Sequence, residues 1–280
     1  ATVGVASSDF AVTGVAFDSR EVGPGDLFIA LTGEMTDGHR FVDQAFAQGA
    51  AGVIVSTPVA HPHVLVTDTT DALNRLGQAS RARVAGKVIG VTGSAGKTGT
   101  KEALAAALAR GNRGPVHRSV KSYNNHTGVP LSLSRMPQDS AFGVLEMGMN
   151  HTGELAALTR LVRPNVALVT TIASAHREFF KSEEEIADAK GEIFEGLEPG
   201  GTAILPFDSP HYARLRTTAE KYAARILSFG RGDGADVRVL DEFALADGTQ
   251  ITAQLPDCEL AFTLSQPGAH WVSNSMAVLA

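Results

Sequence analysis

Short apolar runs rich in valine, isoleucine and leucine alternate along most of the chain with longer segments of helical periodicity. Apolar runs bounded by glycine or polar residues are typical of buried strands, and the longer segments are typical of amphipathic helices. Strands that alternate with helices favour a parallel sheet covered by helices on both faces. The sequence therefore predicts an α/β protein built around mostly parallel sheets.

The pattern divides the chain into two predicted domains, residues 1–83 and 84–280. The first is a small α/β unit, and residues 81–86 form the predicted junction to the second. The elements predicted in the first domain are strands at 12–17, 27–31, 53–55 and 64–66 and helices at 41–48 and 68–83.

The second predicted domain changes its pattern after Gly230. Its α/β part is predicted as strands at 88–91, 142–147, 166–172, 202–205 and 226–229, with helices at 103–109, 152–162, 183–197 and 209–224. A β-meander with an Asp247-Gly248 turn follows, and its predicted strands are 237–240, 243–245, 251–255 and 260–264. The last predicted helix, 272–280, is still apolar at its final residue, so we expect the natural protein to continue beyond it.

Composition limits the classes of function. The formal net charge is −6 and only 19% of the residues are charged, which argues against a dedicated nucleic-acid binder, because such proteins carry a basic surface. The single cysteine, Cys258, cannot form an intrachain disulfide and fits a reducing compartment. We find neither an apolar run of membrane-spanning length nor a signal-peptide pattern. We therefore expect a soluble, cytoplasmic and monomeric protein without nucleic-acid partners.

The strand at 88–91 leads into a glycine-rich turn, Gly93-Ser94-Ala95-Gly96-Lys97-Thr98, and then into an alanine-rich helix. Glycines let successive N–H groups point at a bound anion, and the positive end of the following helix faces the same anion. Lys97 can reach the β- and γ-phosphates of a nucleotide, and the Thr98 hydroxyl can bind Mg²⁺. Val91 occupies the place of the first glycine in the full P-loop pattern, so the match is to its shorter form. This stretch predicts a nucleotide-phosphate site.

Two further side chains follow strands of the same predicted sheet. Ligands of open parallel sheets bind beyond the carboxyl ends of the strands, so these side chains are expected near the P-loop. Glu146 ends the strand at 142–147, and a carboxylate in this position is a usual partner of Mg²⁺. His176 follows the strand at 166–172 and, taken alone, would be an exposed loop histidine. We predict Glu146 as a metal ligand.

The polar stretch 121–130 contains the adjacent residues Asn124 and Asn125 and is predicted as a loop that turns at Gly128 and Pro130. Two neighbouring amides could contact a phosphate or a substrate, and they could equally form an ordinary Asx-turn. Spacing alone leaves both alternatives open.

Taken together, these stretches resemble the Mur ligases, the ATP-dependent amide ligases of peptidoglycan synthesis. The segment Glu146-Met-Gly-Met-Asn150 is similar to the branch that joins D-alanyl-D-alanine to UDP-N-acetylmuramoyl-tripeptide, and differs from its sister ligases. The resemblance covers nearly the whole chain, and its matching segments are 18–28, 37–41, 92–98, 123–130, 145–154 and 189–194.

The resemblance implies a role for each matching residue at the nucleotide. Residues Gly93–Thr98 would hold the phosphates of ATP, and Asn274 would lie near the adenine. Thr98 and Glu146 would hold one Mg²⁺, and His176 would hold a second. An N-terminal UDP-sugar domain and a central ATPase domain are the expected architecture.

Lys190 matches a lysine that the family carbamylates with CO₂, which turns an ammonium into a carboxylate-like metal ligand. Without the resemblance it would be read as a helix lysine with a solvated tip. Catalytic roles are thereby implied for Lys97, Lys190 and His176.

The resemblance also implies residues for substrate binding. Ser19 and Arg20 match the region that contacts the UDP-sugar, and an arginine suits a diphosphate through bidentate hydrogen bonds. Asn124 and Asn125 lie in another matching segment. The amino substrate would be D-alanyl-D-alanine, and the product an amide formed through an acyl phosphate.

Two features depart from the family pattern. Trp271 stands where the family usually has asparagine after His270. Family members are also longer, with a C-terminal domain that closes over ATP and receives the amino substrate. We therefore expect these residues alone to turn over weakly, with the third domain cut off or carried on another chain.

Three other functions stay open at this point. A sister Mur ligase or a folylpolyglutamate-type synthetase would use the same core. A small-molecule kinase would use the same P-loop without needing an amine. A nucleotide- or UDP-sugar-binding module would bind these ligands without activity of its own.

Overall fold

The computed structural model describes residues 4–33, 36–111, 113–173, 179–266 and 268–280. These residues form two compact units. Unit 1 holds the described residues up to Val84 together with Pro130–Gln138, and unit 2 holds Ala85–Val129 with Asp139–Ala280. The α/β class predicted from the sequence is confirmed.

Unit 1 is a five-stranded sheet with the order β1-β5-β4-β3-β2, in which only β1 runs antiparallel to its neighbour. The strands are β1 Gly4–Ala6, β2 Gly14–Ala16, β3 Asp26–Ile29, β4 Gly52–Val55 and β5 His63–Val66. The helices are α1 Val42–Ala47 and α2 Thr69–Arg83. The Asp68 carboxylate accepts hydrogen bonds from the Thr70 and Asp71 N–H groups and so begins α2.

The return of Pro130–Gln138 to unit 1 differs from the predicted domain division, which placed these residues in the second domain. The physical reason is a set of contacts between residues far apart in sequence. Arg135 Nε donates to the Val15 carbonyl oxygen across 2.6 Å, and a Cβ on Gly77 would lie only 2.9 Å from the Pro130 carbonyl oxygen. Periodicity along the chain carries no signal for such contacts.

Unit 2 is a nine-stranded sheet with the order β14-β13-β12-β11-β10-β9-β6-β8-β7. Its strands are β6 Lys87–Thr92, β7 Val116–Arg118, β8 Phe142–Glu146, β9 Val166–Val169, β10 Thr202–Pro206, β11 Arg225–Gly230, β12 Val237–Leu245, β13 Gly248–Gln254 and β14 Glu259–Leu264. The sheet is parallel from β7 to β12, and the last three strands form the predicted meander.

The helices of the rest of the chain are α3 Lys97–Arg110, α4 Gly128–Ser134, α5 Glu154–Val162, α6 Glu183–Gly191, α7 Tyr212–Ala219 and α8 Ala269–Leu279. A 3₁₀ turn, Glu192–Gly196, continues from α6. Among the described residues, no helix combines the length and the apolar character needed to cross a bilayer.

The strand β6 lies between β8 and β9, so the strand order reverses there: β7 and β8 lie on one side of β6, and the strands from β9 onward lie on the other. Such a switch point opens a crevice at the carboxyl ends of the strands. The strand is buried from Val88 to Thr92, and its apolar residues pack into the main core with α3 and α8. The fold therefore presents the residues after β6, β8 and β9 at one edge of the sheet.

Several predicted elements differ from the observed ones, and two of these differences have a clear physical reason. The predicted strands 237–240 and 243–245 are one strand, β12, whose pairing with β13 shifts register between Val239 and Asp241. The shift marks a β-bulge, which explains the break in the sequence pattern. The second difference is at Gly128, where a helix begins and the predicted turn was wrong. Pro130 lies in its first turn, where a missing N–H group costs nothing.

Candidate active site

The two loop glycines of the P-loop occupy positions that no other residue fits. Gly93 has φ +150° and Gly96 has φ +82°, both in the region that favours glycine. A Cβ on Gly93 would overlap the Thr170 hydroxyl, and one on Gly96 would lie 2.6 Å from Asn274 Oδ1. The sequence motif therefore has two causes, the backbone conformation and the close approach of neighbouring elements.

The middle of the loop is fixed to the chain that follows β9. The Ser94 N–H donates to the Thr171 carbonyl oxygen at 2.8 Å, and the Ser94 hydroxyl donates to the Ala173 carbonyl oxygen at 3.0 Å. The Thr170 hydroxyl lies 2.5 Å from the Ala95 carbonyl oxygen. These bonds hold the loop in register with the start of α3, whose N–H groups form the expected anion site.

Lys97 folds back over the loop, and its Nζ donates to the Gly93 carbonyl oxygen at 2.7 Å. Burial lowers the pKa of Lys97, and the nearby Glu146 carboxylate opposes that shift. The ammonium is thus an incompletely solvated charge, which interacts more strongly with a phosphate than an exposed one would.

Glu146 ends β8 as a buried carboxylate with a fixed orientation. Its two oxygens accept hydrogen bonds from Thr98 Oγ1 at 2.9 Å and from Asn124 Nδ2 at 2.7 Å. Lys101 Nζ lies 3.8 Å from the same carboxylate and donates to the Lys121 carbonyl oxygen at 2.7 Å. A buried carboxylate needs such partners, because burial without them disfavours its charged form.

Lys101 is a functional candidate that the sequence reasoning missed. Its side chain is fully buried, and it stands one helical turn after Lys97 on α3. That spacing of four residues was the available signal, since i and i+4 share a helix face.

Lys190 is the most unexpected member of the site. The side chain is only 1% exposed, so the interpretation of a solvated lysine tip is wrong. Burial, aided by the charge of Lys97, lowers the pKa of Lys190 to about 7. No hydrogen bond or ion pair of its ammonium is found among the residues that the structure describes. Near neutral pH a large fraction of this amine is therefore uncharged and nucleophilic.

The donor set fits a divalent cation in part. Thr98 and Glu146 carry oxygen atoms of the kind that hard cations prefer, and Lys190 would provide a further oxygen if its amine were converted to a carbamate. Three or more histidine, cysteine or acidic side chains do not gather as a metal site anywhere in the described part of the chain. His176, predicted at the second Mg²⁺, lies outside the described residues.

Helix α8 forms another wall of the P-loop. Asn274 is buried, and its side chain lies against Gly96, as the close approach to a Cβ there shows. The departure at Trp271 has a packing explanation, because its ring lies over Gly99, where a Cβ would be 2.9 Å from Cζ3. The structure thus brings Asn274 to the predicted nucleotide site.

The two neighbouring asparagines have different roles in the structure. Asn124 orients Glu146, and its carbonyl oxygen accepts a hydrogen bond from the Gly148 N–H at 2.7 Å. The Asn125 side-chain oxygen accepts from the Gly128 N–H at 2.9 Å and from Thr127, and so caps the first turn of α4. The Asx-turn alternative therefore describes Asn125, while Asn124 belongs to the carboxylate site.

Ser19 and Arg20 belong to unit 1, at the carboxyl end of β2. The Ser19 side chain is buried, and its hydroxyl donates to Gln44 Oε1 at 3.0 Å. The Arg20 guanidinium is 81% exposed and pairs with Asp18 at 2.6 Å. Of these two residues, Arg20 is the one that is accessible to solvent.

Comparison with known families decides the relationship. The family model described as "Mur ligase middle domain" matches residues 91–280, and "Mur ligase family, catalytic domain" matches residues 11–111. The chain belongs to the Mur ligase family. The glycine-rich loop after β6 and the helix α3 lie within both matches.

Individual Mur ligases are similar over almost the whole chain. The UDP-N-acetylmuramoyl-tripeptide–D-alanyl-D-alanine ligase of Bacillus subtilis is 38% identical over 96% of this chain. A crystal structure of MurF from Acinetobacter baumannii superposes with a TM-score of 0.85 at 35% identity, over 95% of this chain. MurF ligase from Thermotoga maritima in complex with ADP has a TM-score of 0.81 at 31% identity, also over 95% of this chain.

The chain is shorter than these Mur ligases. It spans 58% of the Bacillus subtilis ligase, 58% of the Acinetobacter baumannii chain and 61% of the Thermotoga maritima chain.

Proposed function

We propose that this protein is an ATP-dependent amide ligase that joins D-alanyl-D-alanine to UDP-N-acetylmuramoyl-tripeptide in peptidoglycan precursor synthesis. The observation that carries the proposal is electrostatic. Lys97, Glu146 and Lys190 come from three separate elements, and their charges interact: Glu146 raises the pKa of Lys97, and Lys97 lowers the pKa of Lys190. The names of the relatives, which include a tripeptide–D-alanyl-D-alanine ligase at 38% identity, support the choice of substrates.

ATP binds as a substrate to Gly93–Thr98, with its phosphates facing the N-terminus of α3 and Asn274 nearby. Mg²⁺, held by Thr98 and Glu146, would neutralise phosphate charge when bound. A carbamate on Lys190 would supply a further anionic oxygen for metal, and His176 is proposed at a second Mg²⁺. The neutral amine of a lysine with a pKa of about 7 is the form that can react with CO₂.

The reaction requires activation of a carboxylate, which is a poor electrophile. An oxygen of the tripeptide carboxylate attacks the γ-phosphorus of ATP, the bond to the β-phosphate oxygen breaks, and an acyl phosphate and ADP form. The D-alanyl-D-alanine amine then attacks the acyl carbon and loses a proton, and phosphate leaves. Lys97 and the α3 N–H groups stabilise the transferring phosphoryl group. Glu146, oriented by Asn124, holds the Thr98 hydroxyl in place beside it.

The remaining assignments are part of the same proposal. Unit 1 binds the UDP-sugar, with Arg20 facing the diphosphate and Ser19 supporting the turn that carries it. The protein acts in the cytoplasm as a monomer. Weak turnover by these 280 residues alone stays a prediction.

A calorimetric titration tests the proposal. The chain is titrated with UDP-N-acetylmuramoyl-tripeptide in the presence of Mg²⁺ and a non-hydrolysable ATP analogue, and the dipeptide and the bare UDP-sugar serve as comparators. Saturable binding that prefers the tripeptide supports the ligase. Nucleotide binding without any UDP-sugar binding contradicts the substrate assignment, and a stable phosphorylated product formed without an amine would indicate a kinase.

A further inference from the structure

Helix α5 has no N-terminal cap of its own. The cap position is Gly153, which has φ +89° and no side chain to accept a hydrogen bond from the first turn. The first N–H groups of a helix have no partners inside the helix and need acceptors from elsewhere.

The cap is supplied by Glu192, from the 3₁₀ turn that follows α6. Its Oε1 accepts from the Gly153 N–H at 2.7 Å, and its Oε2 accepts from the Ala156 N–H at 3.1 Å. The residue is buried, so its carboxylate contacts little water. Both oxygens are used, and a negative charge at a helix N-terminus is favourable.

Each end of this contact leads to the candidate active site. Glu192 stands two residues after Lys190, and Gly153 stands seven residues after Glu146. The contact is thus a direct link between the segment that carries the buried amine and the segment that carries the metal carboxylate.

Other contacts between the same segments lie farther from Lys190 along the chain. The Thr159 hydroxyl donates to the Ile193 carbonyl oxygen at 2.6 Å, and Arg160 pairs with Glu195 at 2.6 Å near the surface. Of the residues that make these contacts, Glu192 is nearest to Lys190 in the sequence and is therefore placed to control its position. Exposed pairs such as Arg160–Glu195 contribute little to stability.

We propose that Glu192 is a positioning residue, whose two hydrogen bonds to α5 hold the Lys190 amine in register with Glu146 and the P-loop. The inference rests on the proposed function, because it assumes that Lys190 takes up CO₂ and joins a metal site. Glutamine has the same length but only one acceptor oxygen, so its amide would place N–H groups against the N–H group of Ala156.

The test compares Glu192→Gln with Glu195→Gln, a matched loss of one carboxylate in the same turn. Each variant and the parent chain are incubated with ¹³C-bicarbonate, and the lysine carbamate signal is followed by NMR well below the unfolding temperature. ADP affinity is measured by calorimetry with EDTA and with Mg²⁺. We expect Glu192→Gln to need about 10-fold more bicarbonate for half-labelling and to lose a similar factor of the Mg²⁺-dependent gain in affinity. Its ADP affinity in EDTA and all properties of Glu195→Gln should match the parent.

A second variant covers the case in which Glu192→Gln does not fold. Ala156→Pro removes one donor to Glu192 without breaking a bond inside the helix, because first-turn N–H groups have no intrahelical partner, and should likewise raise the bicarbonate requirement. A lowered unfolding temperature with unchanged labelling and unchanged Mg²⁺ dependence, in either variant, would overturn the inference and leave the proposed function standing. If the parent takes no label, the carbamate assignment within the proposed function is wrong and the inference falls with it; if the parent binds no ADP, the nucleotide assignment is wrong.

Discussion

The Thr98 hydroxyl donates a hydrogen bond to Glu146 across 2.9 Å, although the two residues are 48 positions apart in sequence. Thr98 lies in the first turn of the helix after the P-loop, and Glu146 ends the neighbouring strand β8. Their contact joins the predicted phosphate site to a buried carboxylate. A metal site at this edge of the sheet can therefore be tested by changing these residues.

Replacing Glu146 with glutamine should remove the metal dependence of nucleotide binding. Glutamine preserves the shape of the side chain but not the charge that a divalent cation requires. We expect the gain in ADP affinity on adding Mg²⁺ to fall at least about 10-fold, with little change in EDTA, as measured by calorimetry. Glu220→Gln, at the exposed residue that follows α7, is the control and should behave as the parent. An unchanged Mg²⁺ effect in Glu146→Gln would remove Glu146 from the metal site.

The left-handed glycines offer a matched pair. Gly96 and Gly200 both have φ +82°, but only Gly96 has a neighbour, Asn274, where a Cβ would lie. Gly200→Ala should cost about 1–2 kcal/mol of unfolding free energy through backbone strain alone. Gly96→Ala should cost more and should also weaken ADP binding, because the loop and Asn274 must move apart. Urea unfolding and calorimetry measure both effects, and equal effects of the two variants would contradict the steric argument.

The buried amine of Lys190 should make stability depend on pH. Its pKa is about 7 in the folded chain and near the ordinary value of 10.5 when unfolded, so the unfolded state binds more protons between these values. The free energy of unfolding should therefore rise with pH above about 7, by up to about 1.4 kcal/mol per pH unit, and this gain should be absent below pH 7.

The measurement is urea unfolding at pH values from 6.5 to 8.5, in buffers free of CO₂ so that no carbamate forms. Lys190→Met should abolish the extra rise, since it removes the titrating group, whereas Lys221→Met at an exposed position should keep it. Parallel pH profiles for the parent and Lys190→Met would show that the amine is not buried in solution.

The adjacent asparagines should separate stability from ligand binding. Asn125→Ala removes the cap of α4 and should lower the free energy of unfolding by about 1 kcal/mol, with ADP binding unchanged. Asn124→Ala removes a hydrogen bond to Glu146 and should reduce the Mg²⁺-dependent part of ADP affinity. Thermal unfolding and calorimetry on both variants decide the assignment. A loss of Mg²⁺-dependent binding in Asn125→Ala would return that residue to the ligand site.

Much of the fold was predictable because it is encoded locally. The helix α2 has a capping aspartate and a long periodic segment, and the prediction from Asp68 to Arg83 is confirmed. The strand β7 and the start of α4 were missed, because β7 is only three residues long and the helix depends on the cap at Asn125. The helix predicted at 209–224 is shorter, Tyr212–Ala219, since its predicted ends lie in turns.

The sequence by itself determined the P-loop, since its glycines, lysine and threonine are fixed by backbone conformation and phosphate chemistry within one turn of chain. It also placed Glu146 at a strand end. Only the tertiary structure decided that Lys190 is buried beside Lys97 and that Glu192 caps α5. The physical reason is that burial and side-chain pairing between distant segments depend on the strand order of the sheet. The hydrophobic periodicity of a single sequence does not specify that order.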